Sequence, residues 1–224
     1  MIISHKHKFI FIKTGKTAGT SIEGCLARQC GEQDVVTPLY PPVVGHKARN
    51  YQGFCNPIDE FLFRRGRKNR LVWQLFHQNI RFYNHIPAQI VKKRVSHDVW
   101  NNYFKFCVER NPYTKSISQY RMLHKRSNGR LTLEQFFARG LLRSDFRHYT
   151  GVDGELIVDT VLRYEDLHQQ LADVCARLAV PFEADALGRE KTITHTENIE
   201  LSDKQKAMIQ RLFSNEFTMF EYSK

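Results

Sequence analysis

Three stretches of the chain share one pattern, in which a short apolar run ends in a polar turn and helical spacing follows. The runs cover residues 9–12, 103–109 and 155–163. Runs of this length that are rich in aromatic and β-branched residues predict strands. Repeated strand–turn–helix units predict one α/β domain with a central, mainly parallel sheet flanked by helices, and ligands of such sheets bind at the strand ends.

The turn after the first run has the composition of an anion-binding loop. Residues 13–20 read KTGKTAGT, and residues 21–23 then open a helix. The N–H groups at a helix N-terminus, the helix dipole and a lysine together favour phosphate or sulfate. Gly15 and the two residues after it look like the end of a nucleotide-triphosphate P-loop, but that motif needs a glycine where Ile10 stands. The P-loop interpretation therefore fails.

The turn after the second run adds a second anion site. Arg110 ends the strand, Asn111 is a good N-cap, and Pro112 suits the first position of a helix. Ser118 lies about two helical turns further on. An arginine at a strand end and a serine hydroxyl on the following helix can converge on one phosphate.

The spacing in that helix predicts which side is buried. We expect Tyr113, Ile117 and Tyr120 to form the buried stripe. Ser118 then lies on a neighbouring face with Lys115 and Arg121.

The order of these motifs resembles that of sulfotransferases that use 3′-phosphoadenosine 5′-phosphosulfate (PAPS). Residues 16–21 (KTAGTS) resemble the 5′-phosphosulfate loop of the family, with Gly15 in place of its usual proline. The Arg-Asn-Pro-Tyr segment with Ser118 resembles the family's 3′-phosphate site. Residues 163–167 (RYEDL) and 217–222 are similar to later blocks, and the match is poor between about residues 54 and 96.

The resemblance implies a P-loop-like sulfotransferase fold and specific residue roles. Lys16 is the implied catalytic residue, which bridges the leaving oxygen and the sulfuryl group. The implied donor-binding residues are Lys16, Thr17, Ala18, Gly19, Thr20 and Ser21 for the 5′-phosphate, Arg110 and Ser118 for the 3′-phosphate, and Tyr164 near adenine.

The acceptor hydroxyl must lose a proton, and histidine has a suitable pKa for a catalytic base. We expect His46 in this role, because residues 46–49 (HKAR) are similar to a His-x-x-Ala-Arg segment of carbohydrate-type (type 2) relatives. His97 beside Asp98 is the second choice. Glu23 and Glu109 are remote alternatives.

Length and charge limit the number of domains and the kinds of ligand that the chain can have. The 224 residues predict a single domain over residues 1–224, and the net charge of +11 suits a phosphorylated donor and an acidic acceptor. Basic residues at 64–70 and 92–94 bracket an aromatic segment, so residues 54–96 are a possible acceptor-recognition segment. Nucleic acid would suit the charge equally, but no nucleic-acid motif supports it.

Other features of the sequence argue against a metal site and against a membrane-spanning segment. No His-Glu-x-x-His motif or Cys/His array is present, so we expect no metal. The five cysteines include no Cys-x-x-Cys pair and predict reduced thiols. No transmembrane segment is apparent, which favours a bacterial-type cytoplasmic protein over a membrane-anchored one.

The sequence therefore predicts an enzyme that transfers the sulfuryl group of PAPS to a hydroxyl, most simply on a carbohydrate or glycoconjugate, and releases 3′,5′-ADP. Two alternatives stay open. One is a nucleotide-dependent kinase or NTPase on a related fold, and the other is a non-enzymatic binder of acidic polysaccharide.

Overall fold

A computed structural model describes residues 1–43, 45–56, 79–182, 187 and 199–223. Its sheet has five strands in the order β3-β1-β2-β4-β5. The strands are β1 (Ile2–Ser4), β2 (Phe9–Phe11), β3 (Val35–Val36), β4 (Phe104–Glu109) and β5 (Thr160–Arg163).

The sheet is parallel where the predicted motifs lie. β4 pairs in parallel with β2 on one side and with β5 on the other. β1 and β3 instead extend the sheet in the antiparallel direction. Only residues 5–8 separate β1 from β2, and so short a connection can join only antiparallel strands. The predicted α/β sheet is thus confirmed, with an antiparallel edge that the sequence did not indicate.

Nine α-helices are present in the described residues. They are α1 (Gly19–Ala27), α2 (Ala88–Arg94), α3 (His97–Asn102), α4 (Pro112–Arg126), α5 (Leu133–Ala138), α6 (Phe146–Tyr149), α7 (Leu167–Arg177), α8 (Asp203–Leu212) and α9 (Ser214–Met219). A 3₁₀ turn, Tyr164–Asp166, joins β5 to α7. None of these helices is both long and apolar enough to cross a membrane.

Both faces of the sheet are buried, as expected of a sheet covered by helices on two sides. On one face Phe106 and Val108 of β4 pack in a cluster with residues of α1 and α7. On the other face Cys107 packs in a cluster with residues of α2 and α6. Because side chains alternate along β4, this strand contributes to the core on both faces of the sheet. The carboxyl end of β4 lies at the centre of the sheet edge.

A third cluster lies between α4 and the C-terminal helices. Phe136, Ile209, Phe213 and Phe217 are buried there, and Tyr113 and Tyr120 of α4 pack against them. Capping boxes at Thr132 and Ser202 open α5 and α8. Leu212 is 44% exposed, because it falls on the outer face at the end of α8.

The predicted stripe of α4 is correct only in part. Ile117 lines a cavity instead of the core. Lys115, expected beside Ser118, is fully buried. A lysine is buried at low cost only when carboxylates compensate its charge, and two of them do so here, as described below.

Candidate active site

A cavity of about 2390 Å³ opens at the carboxyl ends of β2, β4 and β5. Parallel strands bring their following turns to the same edge of the sheet. The first turn, residues 13–21, and the second turn, which begins at Arg110, therefore both line this cavity.

The first turn is shaped by unusual backbone geometry. Lys16 and Ala18 both have positive φ values, 65° and 55°, and α1 begins directly afterwards at Gly19. Sharp turns of this kind point successive N–H groups into a concavity that binds anions. Gly19 lies so close to Lys13 that a Cβ atom there would be 2.8 Å from the Lys13 Cγ atom. The close approach explains the need for glycine at this position.

Hydrogen bonds anchor this turn at its base. The Gly15 N–H donates to Asp145 Oδ2 at 2.8 Å. The Thr14 hydroxyl donates to the carbonyl oxygen of Val108 and lies 2.9 Å from the Thr17 hydroxyl. The turn is therefore tied to β4, although glycine replaces the proline that would stiffen it.

The second turn forms as the sequence predicts. Asn111 caps α4, with its side chain accepting a hydrogen bond from the Tyr113 N–H, and Pro112 takes the first helical position. Arg110 Nε donates to the Thr114 hydroxyl at 3.0 Å. The guanidinium carbon of Arg110 lies 4.1 Å from the centre of the Tyr164 ring, a cation–π contact.

The cavity brings together every residue for which the sequence suggested a donor-binding role. Lys16, Thr17, Ala18, Gly19, Thr20, Ser21, Arg110, Ser118 and Tyr164 all line it. Arg110 Nη1 also donates to the carbonyl oxygen of Lys16 at 3.3 Å. The two turns for which the sequence predicts anion binding thus lie within one concave surface.

Comparison with known proteins identifies the family of the chain. The model of the sulfotransferase family (Sulfotransfer_2) matches residues 1–174. The chain belongs to this family. A protein of Archaeoglobus fulgidus described as uncharacterized is 31% identical over 106 residues, which are 45% of this chain and 88% of that protein. A crystal structure of a sulfotransferase from Alicyclobacillus acidocaldarius aligns over 97% of this chain and 96% of its own, with a TM-score of 0.47 and 17% identity.

In this sulfotransferase, His46 lies beside a buried charge cluster and not among the residues that line the cavity. Its Nε2 atom is 4.0 Å from Glu23 Oε1, and its side chain is 4% exposed. Glu23 also pairs with the Met1 ammonium at 2.7 Å and with Lys13 Nζ at 3.0 Å. Burial raises the pKa of Glu23, but the two cations outweigh it and keep this pKa below its usual value. Burial lowers the pKa of His46.

The other base candidates from the sequence also lie away from the cavity lining. His97 is exposed at the start of α3 and lies 3.0 Å from the Asn101 amide nitrogen. Glu109 is buried at the end of β4, where Lys115 Nζ lies 2.6 Å from its Oε1 atom.

Three histidines that carry no sequence motif line the cavity, namely His85, His148 and His168. His85 Nδ1 lies 3.1 Å from the Lys13 carbonyl oxygen, and its φ of 58° is left-handed. Burial, followed by the charge of Lys13, lowers the pKa of His85 to about 4. His148 Nδ1 lies 3.5 Å from Asp145 Oδ1. The sequence around His85 has no periodic pattern of apolar residues, so it gives no sign that this histidine differs from an ordinary loop residue.

A buried polar network supports both turns from below. Lys115 Nζ lies 2.6 Å from Glu109 Oε1 and 3.0 Å from Asp145 Oδ2. Glu109 Oε1 accepts the Arg110 N–H, while Asp145 accepts the Gly15 N–H. Lys115 is therefore the link between the two turns. Burial and the Lys115 charge act in opposite directions on Asp145, and the cation prevails, which lowers the pKa of this carboxyl to about 2.

No group of three or more His, Cys, Asp or Glu side chains suited to a metal ion occurs within residues 1–43, 45–56, 79–182, 187 and 199–223. The basic segment at residues 64–70 lies outside the described residues. The same is true of residues 57–78, which make up much of the expected acceptor-recognition segment.

Proposed function

We propose that this protein transfers the sulfuryl group of PAPS to a hydroxyl group of a carbohydrate and releases 3′,5′-ADP. The observation that carries the proposal is the meeting of the Lys16 turn and the Arg110 turn in one cavity. A donor with phosphates at both its 5′ and 3′ positions needs two anion sites at a fixed separation. A nucleoside triphosphate does not need the second.

The first turn is assigned to the 5′-phosphosulfate. The N–H groups of residues 17–21 and the hydroxyls of Thr20 and Ser21 are suited to a phosphate, because the first N–H groups of α1 have no carbonyl of a preceding turn to bond. Lys16 is assigned to the oxygen between phosphorus and sulfur. Arg110 and Ser118 are assigned to the 3′-phosphate, and Tyr164, stacked on Arg110, to the adenine side.

The proposed reaction is an in-line displacement at sulfur. The acceptor oxygen forms a bond to sulfur while the bond from sulfur to the 5′-phosphate oxygen breaks. The electron pair of that bond leaves with 3′,5′-ADP, where the Lys16 ammonium stabilises the growing negative charge. The hydroxyl proton passes to a base.

The identity of this base is open between two histidines. His46 stays the prediction of the sequence. His85 has the better position, since it lines the cavity that also contains Lys16. An Nδ1–H donated to the Lys13 carbonyl oxygen leaves His85 Nε2 free to accept a proton, and the lowered pKa keeps the ring neutral at neutral pH.

The carbohydrate acceptor rests on weaker support than the donor. It comes from the similarity of residues 46–49 to the His-x-x-Ala-Arg segment of carbohydrate-type relatives, although one residue separates His46 from Ala48 here and two separate them in that segment. The cavity volume also exceeds the roughly 300–1,000 Å³ typical of a site for one small molecule, which leaves room for an acceptor beside the donor. A cytoplasmic location stays a prediction from the sequence.

Incubation with PAPS labelled in its sulfur tests the proposal against both alternatives. The label should pass to members of a panel of carbohydrate hydroxyl acceptors, with one 3′,5′-ADP released for each sulfate transferred. A kinase would consume ATP and leave PAPS intact. A non-enzymatic binder would retain an acidic polysaccharide and transfer nothing, and either result would overturn the proposal.

A further inference from the structure

Lys16 lies in a backbone conformation that it would rarely adopt by itself. Its φ value of 65° is in the left-handed region, and so is that of Ala18, at 55°. This region is unfavourable for residues with a Cβ atom, and such residues stay there only when the surrounding structure holds them. Because Lys16 is assigned to the reacting oxygen, the contacts that hold this turn bear on the rate of transfer.

Asp145 supplies one such contact at the residue before Lys16. Its Oδ2 atom accepts the Gly15 N–H at 2.8 Å. The side chain of Asp145 is only 14% exposed, so little water competes for this bond. A proline in place of Gly15 would have no N–H and could not make it. The turn therefore depends on an acceptor that another part of the chain provides.

Gly15 and Asp145 also fit each other sterically. A Cβ atom on residue 15 would lie 3.0 Å from Asp145 Oδ2, so the carboxylate would have to move away. Lys115 Nζ lies 3.0 Å from the same oxygen and opposes such a movement. Gly15 does not have a positive φ. The approach of the carboxylate, and not the backbone conformation, therefore accounts for a glycine at this position.

The segment that carries Asp145 is itself held from two sides. Gln119 of α4 donates from Nε2 to the Leu141 carbonyl oxygen at 2.8 Å. The Ser144 hydroxyl donates to the carboxylate of Glu216 on α9. Gln119 and Glu216 are both buried. The position of Asp145 is thus set by α4 and α9, and not by the turn that it supports.

We propose that Asp145 is a positioning residue for sulfuryl transfer, which by accepting the Gly15 N–H places the Lys16 ammonium at the oxygen between phosphorus and sulfur. This inference rests on the proposed function. Misplacing a reacting group by about 1 Å can slow a reaction by about 100-fold. Loss of Asp145 should therefore lower kcat. The N–H groups of residues 17–21, which are assigned to the 5′-phosphate, should keep most of the affinity for 3′,5′-ADP.

Asp145 also has a second neighbour in the cavity wall, His148. The His148 Nδ1 atom lies 3.5 Å from Asp145 Oδ1, which is longer than an ordinary hydrogen bond. The bond to Gly15 is shorter, at 2.8 Å, and leads directly to Lys16. The geometry therefore favours an effect of Asp145 through Lys16, and the experiment distinguishes it from an effect through His148.

A double-mutant cycle tests the inference, with PAPS labelled in its sulfur at saturating concentration and the most reactive acceptor of the carbohydrate panel. Asp145→Ala should lower kcat by about tenfold or more in the otherwise wild-type protein. In the Lys16→Ala background it should lower kcat by less than about twofold, because a residue that acts through Lys16 then has nothing to position. Calorimetry should show a loss of 3′,5′-ADP affinity of less than about threefold in Asp145→Ala.

Asp159→Ala is the matched control. Asp159 Oδ2 also accepts a backbone N–H, that of Lys105, and lies 2.9 Å from the ammonium of the same lysine. Asp159 is not among the residues that line the cavity, so its loss should leave kcat unchanged.

Asp145→Asn is the conservative variant. It has nearly the size of the native side chain and keeps an oxygen that can accept the Gly15 N–H. We expect its kcat to exceed that of Asp145→Ala by about threefold or more. Since it preserves the packing, it also serves if Asp145→Ala does not fold.

Four results would overturn the inference. They are an unchanged kcat in Asp145→Ala, an equal fall in the wild-type and Lys16→Ala backgrounds, a loss of 3′,5′-ADP affinity as large as the loss of kcat, and an Asp145→Asn variant no faster than Asp145→Ala. The second result would assign the effect to another group, such as His148. In each of these cases the wild-type protein still transfers the label, so only this inference fails. If the wild-type protein transfers no label to any acceptor, the proposed function fails.

Discussion

Arg110 donates a hydrogen bond from Nη1 to the carbonyl oxygen of Lys16, with 3.3 Å between the two atoms. The two residues are far apart in the sequence, and each follows a different strand of the sheet. Their contact makes the two turns that are proposed to bind anions parts of one site.

Replacing Lys16 by alanine should slow sulfuryl transfer far more than it weakens donor binding. The lysine is proposed to act on charge that appears only as the sulfur–oxygen bond breaks, so kcat should fall by roughly 10²–10³. Steady-state kinetics with labelled PAPS measure this. Lys206→Ala, an exposed lysine on α8, is the control and should be unaffected. Normal turnover by Lys16→Ala would refute the assigned role.

Arg110→Gln should remove the selectivity for the 3′-phosphate. We expect the donor KM to rise by about tenfold or more, because a charge-assisted hydrogen bond is lost. The wild-type protein should bind 3′,5′-ADP more tightly than 5′-AMP, and the variant should bind both about equally. Calorimetry with the two nucleotides measures the difference, with 5′-AMP as the internal control. A variant that still prefers 3′,5′-ADP would show that Arg110 does not contact this phosphate.

The pH dependence of transfer should separate the two candidate bases. With His85 as base, kcat/KM should stay level from pH 8 to about pH 5 and fall near pH 4, because the pKa of this ring is lowered to about 4 and only the neutral form accepts a proton. His85→Gln should slow transfer by roughly 10²–10⁴. Full activity in His85→Gln together with a large loss in His46→Gln would assign the base to His46.

The two turns that are proposed to bind the donor were predictable from sequence because their signals are local. Gly19, Asn111 and Pro112 are each required by the backbone of their own turn, and the strands before them carry clear apolar runs. Because β2 and β4 pair in parallel, the turns that follow them lie at the same edge of the sheet.

The residues that complete the site were not predictable in this way. His85 and Asp145 reach the cavity through tertiary contacts between segments without periodic patterns. Lys115 looked like a surface residue because helical spacing does not show that carboxylates from other segments lie beside it and allow it to be buried. Ile117 was assigned to the core because an apolar cavity wall and a core have the same sequence pattern.

Lys115→Met should destabilise the fold strongly. It leaves Glu109 and Asp145 as buried charges without their shared cation, and breaking a buried pair costs about 3–5 kcal/mol. Urea unfolding at pH 7 measures the loss, with exposed Lys125→Met as the matched control. An equal stability of the two variants would mean that Lys115 does not hold the turns together.

Glu216→Gln should stabilise the protein at high pH only. Burial raises the pKa of Glu216 to about 7, so between pH 4.5 and 7 the folded state keeps a proton that the unfolded state has lost. Stability therefore falls as pH rises through this range, by roughly 3 kcal/mol at pH 8. The substituted amide would not ionise, and its carbonyl oxygen can still accept the Ser144 hydroxyl, as the carboxylate does in the wild-type protein.

Thermal unfolding at pH 5 and pH 8 checks this prediction. The variant should gain several degrees in Tm at pH 8 relative to the wild-type protein, and little at pH 5. A gain of the same size at both pH values would show that the effect is unrelated to the ionisation of Glu216.

Calorimetric titration of the wild-type protein with 3′,5′-ADP and with ATP tests the central claim most directly. The product nucleotide carries a phosphate for each of the two turns, whereas ATP carries none at the 3′ position. We predict that 3′,5′-ADP binds in a 1:1 complex and at least about tenfold more tightly than ATP. Equal affinity for the two nucleotides, or tighter binding of ATP, would contradict the account.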